Sequence, residues 1–350
     1  MTAKYWKNYI GRCHLEIEFA LRALIALLLS FIVALLLSPL VIASAKRLKA
    51  GQPILSYVSQ HAGKAGTPTF GGFIFLIPTF IVTIILSIGE LPSVGFIAAL
   101  VMLSYAVLGF LDDFIKIKTK ENLGLRPYQK IIGQASIALI VVLYAYRSSE
   151  IGSAVYFPFY GQAIDFGVWY IPFAAFIYLA LSNCVNLTDG LDGLASGCSV
   201  VYLFTFSMIL ILEISCGIAS SSLLTFCGAL IGGLLAFMLY NTNKASIFMG
   251  DTGSLALGGA CAAVALFSKQ PFLVPICGIM FVLSGISIMI QVLYFKLTKG
   301  KRVFLMAPYH HHLEKKGLSE AKICAIYSIT SIVMGVVAIM SVLVGQYGAS

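Results

Sequence analysis

The chain carries only six aspartates in 350 residues, and most of them stand in company that suggests chemistry. Asp112 and Asp113 are adjacent, in Gly109-Phe110-Leu111-Asp112-Asp113-Phe114. Neighbouring carboxylates do not both ionise cheaply without a cation, so such a pair suits Mg²⁺, a proton or both. On a helix the two side chains point about 100° apart, which gives them separate tasks. Asn186, Asp189 and Asp192 recur at three-residue spacing in Asn-Leu-Thr-Asp-Gly-Leu-Asp-Gly. On a helix they would share one face, with Gly190 and Gly193 allowing backbone to approach a ligand closely. A plain Asp-Gly turn has no need to repeat itself within four residues. Asp251 stands in Phe248-Met249-Gly250-Asp251-Thr252-Gly253-Ser254, where an acid between glycines serves as a helix cap or a metal ligand.

Two further segments are basic. Ala307-Pro308-Tyr309-His310-His311-His312-Leu313-Glu314-Lys315-Lys316 holds three consecutive imidazoles. A helix would spread them about 100° apart, a poor Zn²⁺ site, so phosphate contact or proton transfer beside Mg²⁺ suits them better. Gly63-Lys64-Ala65-Gly66-Thr67-Pro68-Thr69-Phe70-Gly71-Gly72 resembles a phosphate loop but lacks the Gly-Lys-Ser/Thr of a Walker sequence. Each segment also has a bland alternative: a solvated helix end, a turn, a cap or an exposed polar loop.

These residues must be positioned by apolar elements. Hydrophobic residues make up 59% of the chain and charged residues 11%, with a mean hydropathy of +0.96. Soluble domains run at roughly 45–50% apolar and about 25% charged. A cytosolic two-domain enzyme, a disordered scaffold and a disulfide-stapled secreted domain are excluded, and an alternating outer-membrane barrel is disfavoured. The expected fold is all-α, a polytopic helical membrane protein and a single domain over 1–350, with 1–18 as a short tail. A span needs about 20 mostly apolar residues. Ten such runs fall near 19–45, 70–89, 92–111, 129–147, 168–187, 191–212, 222–240, 252–268, 271–297 and 323–346. The first is too long for a signal-peptide core and has no convincing cleavage site, so no cleavable signal is expected.

The net charge of +9 is then an orientation signal, not a nucleic-acid footprint. Connections after spans 1, 3, 7 and 9 carry nearly all the loop lysines and arginines, whereas those after spans 2, 4, 6 and 8 carry little beyond Arg147 and Lys269. The odd loops are expected in the cytoplasm and both termini outside, against the short tail with Lys4, Lys7 and Arg12. Five of the six aspartates and the three clustered histidines then share the cytoplasmic face; Asp165 lies opposite. Ionisable residues at membrane boundaries usually mark function. The eight cysteines form no CxxC pair and read as small buried hydrophobes.

Taken in order, GTPTFGG, LDD, NLTDGLDG, FMGDTGSLALGG and APYHHHLEKKG resemble the polyprenyl-phosphate N-acetylhexosamine-1-phosphate transferase family, from about Lys46 to the C-terminus. The unbroken histidine triplet and GTPTFGG favour the branch whose donor is UDP-MurNAc-pentapeptide over the UDP-GlcNAc branch. Phe70 replaces a more usual Met. The resemblance implies transfer of phospho-MurNAc-pentapeptide to undecaprenyl phosphate, giving lipid I and UMP, at the cytoplasmic face of the bacterial inner membrane. It implies Mg²⁺ on Asp251, with Asp112, Asp113, Asp251 and His310 catalytic. It places Lys64, Thr69, Lys130, Asn186, Asp189, Gly190, Leu191, Asp192, Phe248 and His311 around the substrates, with Phe248 on uracil. Family analogy adds a homodimer. A ten-helix transporter is the rival of another class, but transporters show paired halves and midplane charges. Neither is visible here.

Overall fold

The computed structural model describes residues 2–48, 66–119, 123–242 and 244–348, with side chains placed from residue 17 to residue 345 within those ranges. Lys64 lies outside the described residues. The expected helical membrane architecture is present. Nine described helices are long and apolar enough to cross a bilayer. In chain order the helices are α1 (Thr2–Arg47), α2 (Phe73–Leu86), α3 (Val94–Thr119), α4 (Pro127–Arg147), α5 (Tyr170–Thr188), α6 (Leu194–Ser215), α7 (Ser221–Asn241), α8 (Gly250–Phe267), α9 (Val274–Cys277), α10 (Ile279–Leu297), α11 (Tyr309–Lys315) and α12 (Glu320–Gly348).

Four elements differ from the apolar runs. The segment expected as a tail, 1–18, continues into α1 as helix from Thr2. The run at 70–89 yields a helix of only 14 residues. Its first residues form a turn instead, tied to the start of α8: Gly71 N–H donates to the Phe248 carbonyl at 2.8 Å and Gly72 N–H to that of Met249 at 3.1 Å. The third span runs on to Thr119, so Asp112 and Asp113 sit inside a helix and not at its close. The ninth run breaks at Gly278, where the chain, carrying Pro271 and Pro275, passes from α9 to α10. Between α4 and α5 the chain forms a small antiparallel hairpin, β1 (Ala154–Tyr156) with β2 (Ala163–Asp165), pairing Val155 with Ile164.

α7 and α8 are the interior helices; 83% and 89% of their apolar windows are buried. α8 reads Gly-Asp-Thr-Gly-Ser-Leu-Ala-Leu-Gly-Gly-Ala-Cys-Ala-Ala, and small side chains let membrane helices approach until backbones touch. Gly109 of α3 uses this fully: a Cβ there would lie 2.1 Å from the Asp251 carbonyl oxygen. The crossing brings the acids of α3 against the start of α8. Cys198, Cys227, Cys261 and Cys277 are buried as expected, but Cys216, just beyond α6, is exposed.

Candidate active site

The site grows from two turns of helix. On α3, Lys116 stands four residues after Asp112 and three after Asp113, the spacings at which helical side chains meet. Asp251 lies in the first turn of α8, where unpaired N–H groups and the helix dipole favour a negative charge. The contact at Gly109 brings these turns together, and carboxylate oxygens of Asp112, Asp113 and Asp251 all lie within 4.8 Å of one another.

Two ammonium groups sit among them. Lys116 Nζ lies 2.6 Å from Asp112 Oδ2, 2.7 Å from Asp251 Oδ2 and 3.9 Å from Asp113 Oδ1. Lys130 Nζ, from the start of α4, lies 2.8 Å from Asp251 Oδ2 and 3.6 Å from Asp112 Oδ2. The other Asp251 oxygen accepts from Asn186 Nδ2 at 2.7 Å, and the same amide nitrogen reaches Ser254 Oγ at 2.7 Å. The adjacent acids do diverge in their remaining bonds. Asp112 Oδ1 accepts the Leu125 N–H at 2.8 Å; Asp113 Oδ2 accepts the Thr252 N–H at 2.9 Å and its hydroxyl at 2.8 Å.

The sequence-predicted residues are placed as follows. Thr69 is fully buried, and its hydroxyl and Asp113 Oδ2 both flank Gly250: a Cβ on that glycine would meet them at 2.4 and 2.6 Å. Phe248 is half-buried, and its N–H donates to the Pro68 carbonyl at 2.8 Å, tying the 68–72 segment to the start of α8. Asn186, Asp189 and Asp192 do not share a helical face, because α5 ends at Thr188 and the chain turns at Asp189. Asn186 joins the acids. Asp189 follows them, its carboxyl held well above the usual range by burial and by the charges of Asp251, Asp113 and Asp192. Asp192 turns toward the next loop, where Oδ2 accepts the Ala245 N–H at 3.0 Å. Leu191 joins the apolar core. Gly190 faces His310, and a Cβ there would lie 2.3 Å from His310 Nε2. His311 pairs with Glu314 at 2.5 Å. His312 Nδ1 accepts the Leu305 N–H at 3.1 Å. Burial and nearby Lys316 lower its pKa.

Lys116, Thr252 and Ser254 complete the cluster and were missed as site residues. Lys116 was legible: it stands three and four residues after the two acids, yet it reads as one more lysine of a basic loop if the third helix is ended too early. Beside α11 lies a cavity of about 790 Å³ lined by Gln291, Lys296, Arg302, Ala307 and Lys315 among apolar neighbours.

The donor set fits a hard divalent cation. Three carboxylates converge, and the fully buried Asp113 Oδ1 accepts no hydrogen bond among the described residues. Oxygen donors of this kind suit Mg²⁺.

Gly190 offers a sharp check. Gly190→Ala would force His310 to move by about 1 Å, a displacement that can cost about a hundredfold in rate. The expected result is that loss in turnover, measured well below the thermal midpoint so that any destabilisation from crowding the buried His310 does not enter. Full turnover would show that His310 is not held in place for the reaction.

A bundle of membrane-crossing helices with this cluster at one end, whose residues 95–269 match the glycosyl transferase family 4 profile, defines the class: a polytopic membrane transferase. Full-length relatives narrow it. A phospho-N-acetylmuramoyl-pentapeptide-transferase of Clostridium perfringens strain 13 is 44% identical over 321 residues, covering 91% of this chain and 98% of the relative. One from Caldanaerobacter subterraneus subsp. tengcongensis is 42% identical over 305 residues, 86% and 93% of the two chains. One from Desulfitobacterium hafniense is 39% identical over 337 residues, 93% and 99% of the two chains. The chain belongs to the phospho-N-acetylmuramoyl-pentapeptide-transferase family.

Proposed function

We infer that this chain transfers phospho-MurNAc-pentapeptide from UDP-MurNAc-pentapeptide to undecaprenyl phosphate, giving lipid I and UMP for peptidoglycan synthesis. The observation that carries the chemistry is the gathering of three carboxylates and two ammonium groups at one end of a bilayer-spanning bundle. The donor is supported by full-length relatives that bear the pentapeptide-transferase name.

In the reaction the pyrophosphate bond between uridine phosphate and sugar phosphate breaks, and the sugar phosphate becomes joined to the lipid phosphate. Several negative charges meet, so positioning and electrostatic stabilisation do most of the catalytic work. Mg²⁺ held by Asp251, with Asp112 and Asp113 beside it, would supply part of that stabilisation. Lys116 and Lys130 bring positive charge to the same point. Asn186 orients Asp251 through its 2.7 Å bond. Asp112 orients the lipid phosphate or takes its proton, and Asp113, tied to Thr252, would help hold the metal. His310 meets phosphate, and His311 the sugar–peptide side. Asp189, Gly190, Asp192 and Phe248 border the nucleotide, with Leu191 shaping their turn from the core; Lys64 and Thr69 complete the contacts. Family analogy supports a homodimer in the bilayer, and the charge balance supports no nucleic-acid partner.

The test is a two-phase assay with purified protein in lipid vesicles. Label placed on the donor sugar is expected to move into the organic phase only when polyprenyl phosphate and Mg²⁺ are both present. Label that stays aqueous under these conditions would reject the assignment.

Orientation follows from the loop charges: the cluster faces the cytoplasm, and both termini with Cys216 face outward. Cys216, exposed at the end of α6 away from the cluster, should react with a membrane-impermeant maleimide applied to intact cells. A Cys216→Ser variant gives the background. Labelling of Cys216 only after the cytoplasmic side is opened would reverse the topology.

A further inference from the structure

The end of the bundle opposite the acids holds a carboxylate that the transfer reaction does not use. Glu213 lies near the end of α6 and is fully buried. Its Oε1 accepts from Gln270 Nε2 at 2.6 Å. Its Oε2 is buried and has no hydrogen-bond partner among the described residues, and the cation that acts on it, Lys269, does so at longer range and forms no ion pair with it. A buried charge without a partner is expensive, so the group must be neutralised where it stands.

Glu213 lines a cavity of about 80 Å³. That is space for a small ion with one or two waters, given about 30 Å³ per water. Four separate segments line it: Tyr156, Phe157 and Gly161 of the β1–β2 hairpin, Glu213 of α6, Gln270 after α8, and Ser341 and Gly345 of α12. These segments are tied to one another by backbone bonds. The Phe159 N–H donates to the Ser341 carbonyl at 3.2 Å and the Tyr156 N–H to that of Lys269 at 2.8 Å. Gly161 packs so closely on α12 that a Cβ there would fall 1.9 Å from the Gly345 carbonyl oxygen.

The geometry points to a monovalent cation site, Na⁺ in the first instance, in this outer chamber, with Glu213 Oε2 as its charged ligand. The donors around the chamber that suit a metal are oxygens: the carboxylate, the Gln270 amide, the Ser341 and Tyr156 hydroxyls and loop carbonyls. Hard cations take such ligands. Among the residues that line the cavity, Glu213 is the single carboxylate. A monovalent ion therefore balances that carboxylate, whereas Ca²⁺ or Mg²⁺ would leave a buried positive charge, the more costly with Lys269 acting on the same carboxylate. The rival occupant is a proton, which needs no space and no oxygen cage. Bound there, Na⁺ ties the hairpin to α6, α12 and the α8–α9 link, far from the transfer chemistry.

The experiment uses the full chain in detergent at constant ionic strength and pH 7.5, with NaCl exchanged against choline chloride. In the unsubstituted protein Na⁺ is expected to raise the thermal midpoint by roughly 3 °C in a saturable way. Radioactive ²²Na⁺ should bind at one site per chain. Both responses should be lost in Glu213→Gln and kept in Asp251→Asn, which separates this chamber from the acidic cluster. Transfer activity below the midpoint should be unchanged in Glu213→Gln. If Glu213→Gln fails to fold, ²²Na⁺ binding to the unsubstituted and Asp251→Asn proteins still decides. No bound ²²Na⁺, a midpoint that follows pH and ignores Na⁺, or Na⁺ binding lost with Asp251 would each overturn the site. None of these outcomes bears on the transferase assignment, which does not depend on Glu213.

Discussion

Asp251→Asn is expected to lower turnover about a thousandfold, equivalent to about 4 kcal/mol of transition-state stabilisation. The exchange is nearly isosteric, so volume is not the issue. Asp251 Oδ2 stands within 2.8 Å of both Lys116 Nζ and Lys130 Nζ, and Oδ1 accepts the Asn186 amide. An asparagine there either turns an NH₂ donor toward two ammonium groups or turns it toward the Asn186 donor. It also removes one of three charges from the set that suits Mg²⁺. The variant should remain inserted in the membrane, because Asp112 still pairs with Lys116 at 2.6 Å. Steady-state UMP release across a Mg²⁺ titration is the measurement. Near-normal turnover with an unchanged Mg²⁺ response would remove Asp251 from the site.

Asp112→Asn and Asp113→Asn should fail differently. Both carboxylates are buried, but they are held by different partners: Asp112 by Leu125 N–H and the lysines, Asp113 by Thr252 at the head of α8. If Asp112 takes the proton of the lipid phosphate, its loss matters most where that phosphate is still protonated. The second pKa of a phosphate monoester is near 6. Asp112→Asn should therefore lose roughly a hundredfold to a thousandfold at pH 5.5 and recover part of that by pH 8, as the phosphate ionises unaided. Asp113→Asn should instead require more Mg²⁺ at every pH. Superimposable pH profiles of the two variants would contradict this division.

Most of the site was visible in the sequence because its residues come in short strings. Asp112-Asp113, Asn186 to Gly193, Phe248 to Ser254 and the histidine triplet are each local, and an acid in an apolar chain has few innocent explanations. What stayed hidden was set by tertiary contact. The shortening of α2 depends on Gly71 and Gly72 pairing with Phe248 and Met249, about 177 positions away, which no periodicity records. The turn at Asp189 breaks the helical face that a three-residue spacing suggests, and so sends Asp192 to the Ala245 N–H instead of to the acids. The role of Lys116 depends on α3 continuing to Thr119, where boundary reading by hydrophobicity stops at the first charge. The Glu213–Gln270 pair joins residues 57 positions apart, each unremarkable within its own segment. The break at Gly278, by contrast, has its signals in the sequence, in Pro271, Pro275 and the glycine itself.

Donor choice tests the central assignment most directly. Purified protein in vesicles containing undecaprenyl phosphate and Mg²⁺ is given UDP-MurNAc-pentapeptide in one reaction and UDP-GlcNAc in another, and UMP release is followed in both. The expected result is lipid-dependent UMP release from the pentapeptide donor at least a hundredfold above that from UDP-GlcNAc, the discrimination a site built for specific polar contacts readily reaches. UMP release from UDP-GlcNAc alone, or from neither donor with folded protein, would contradict it.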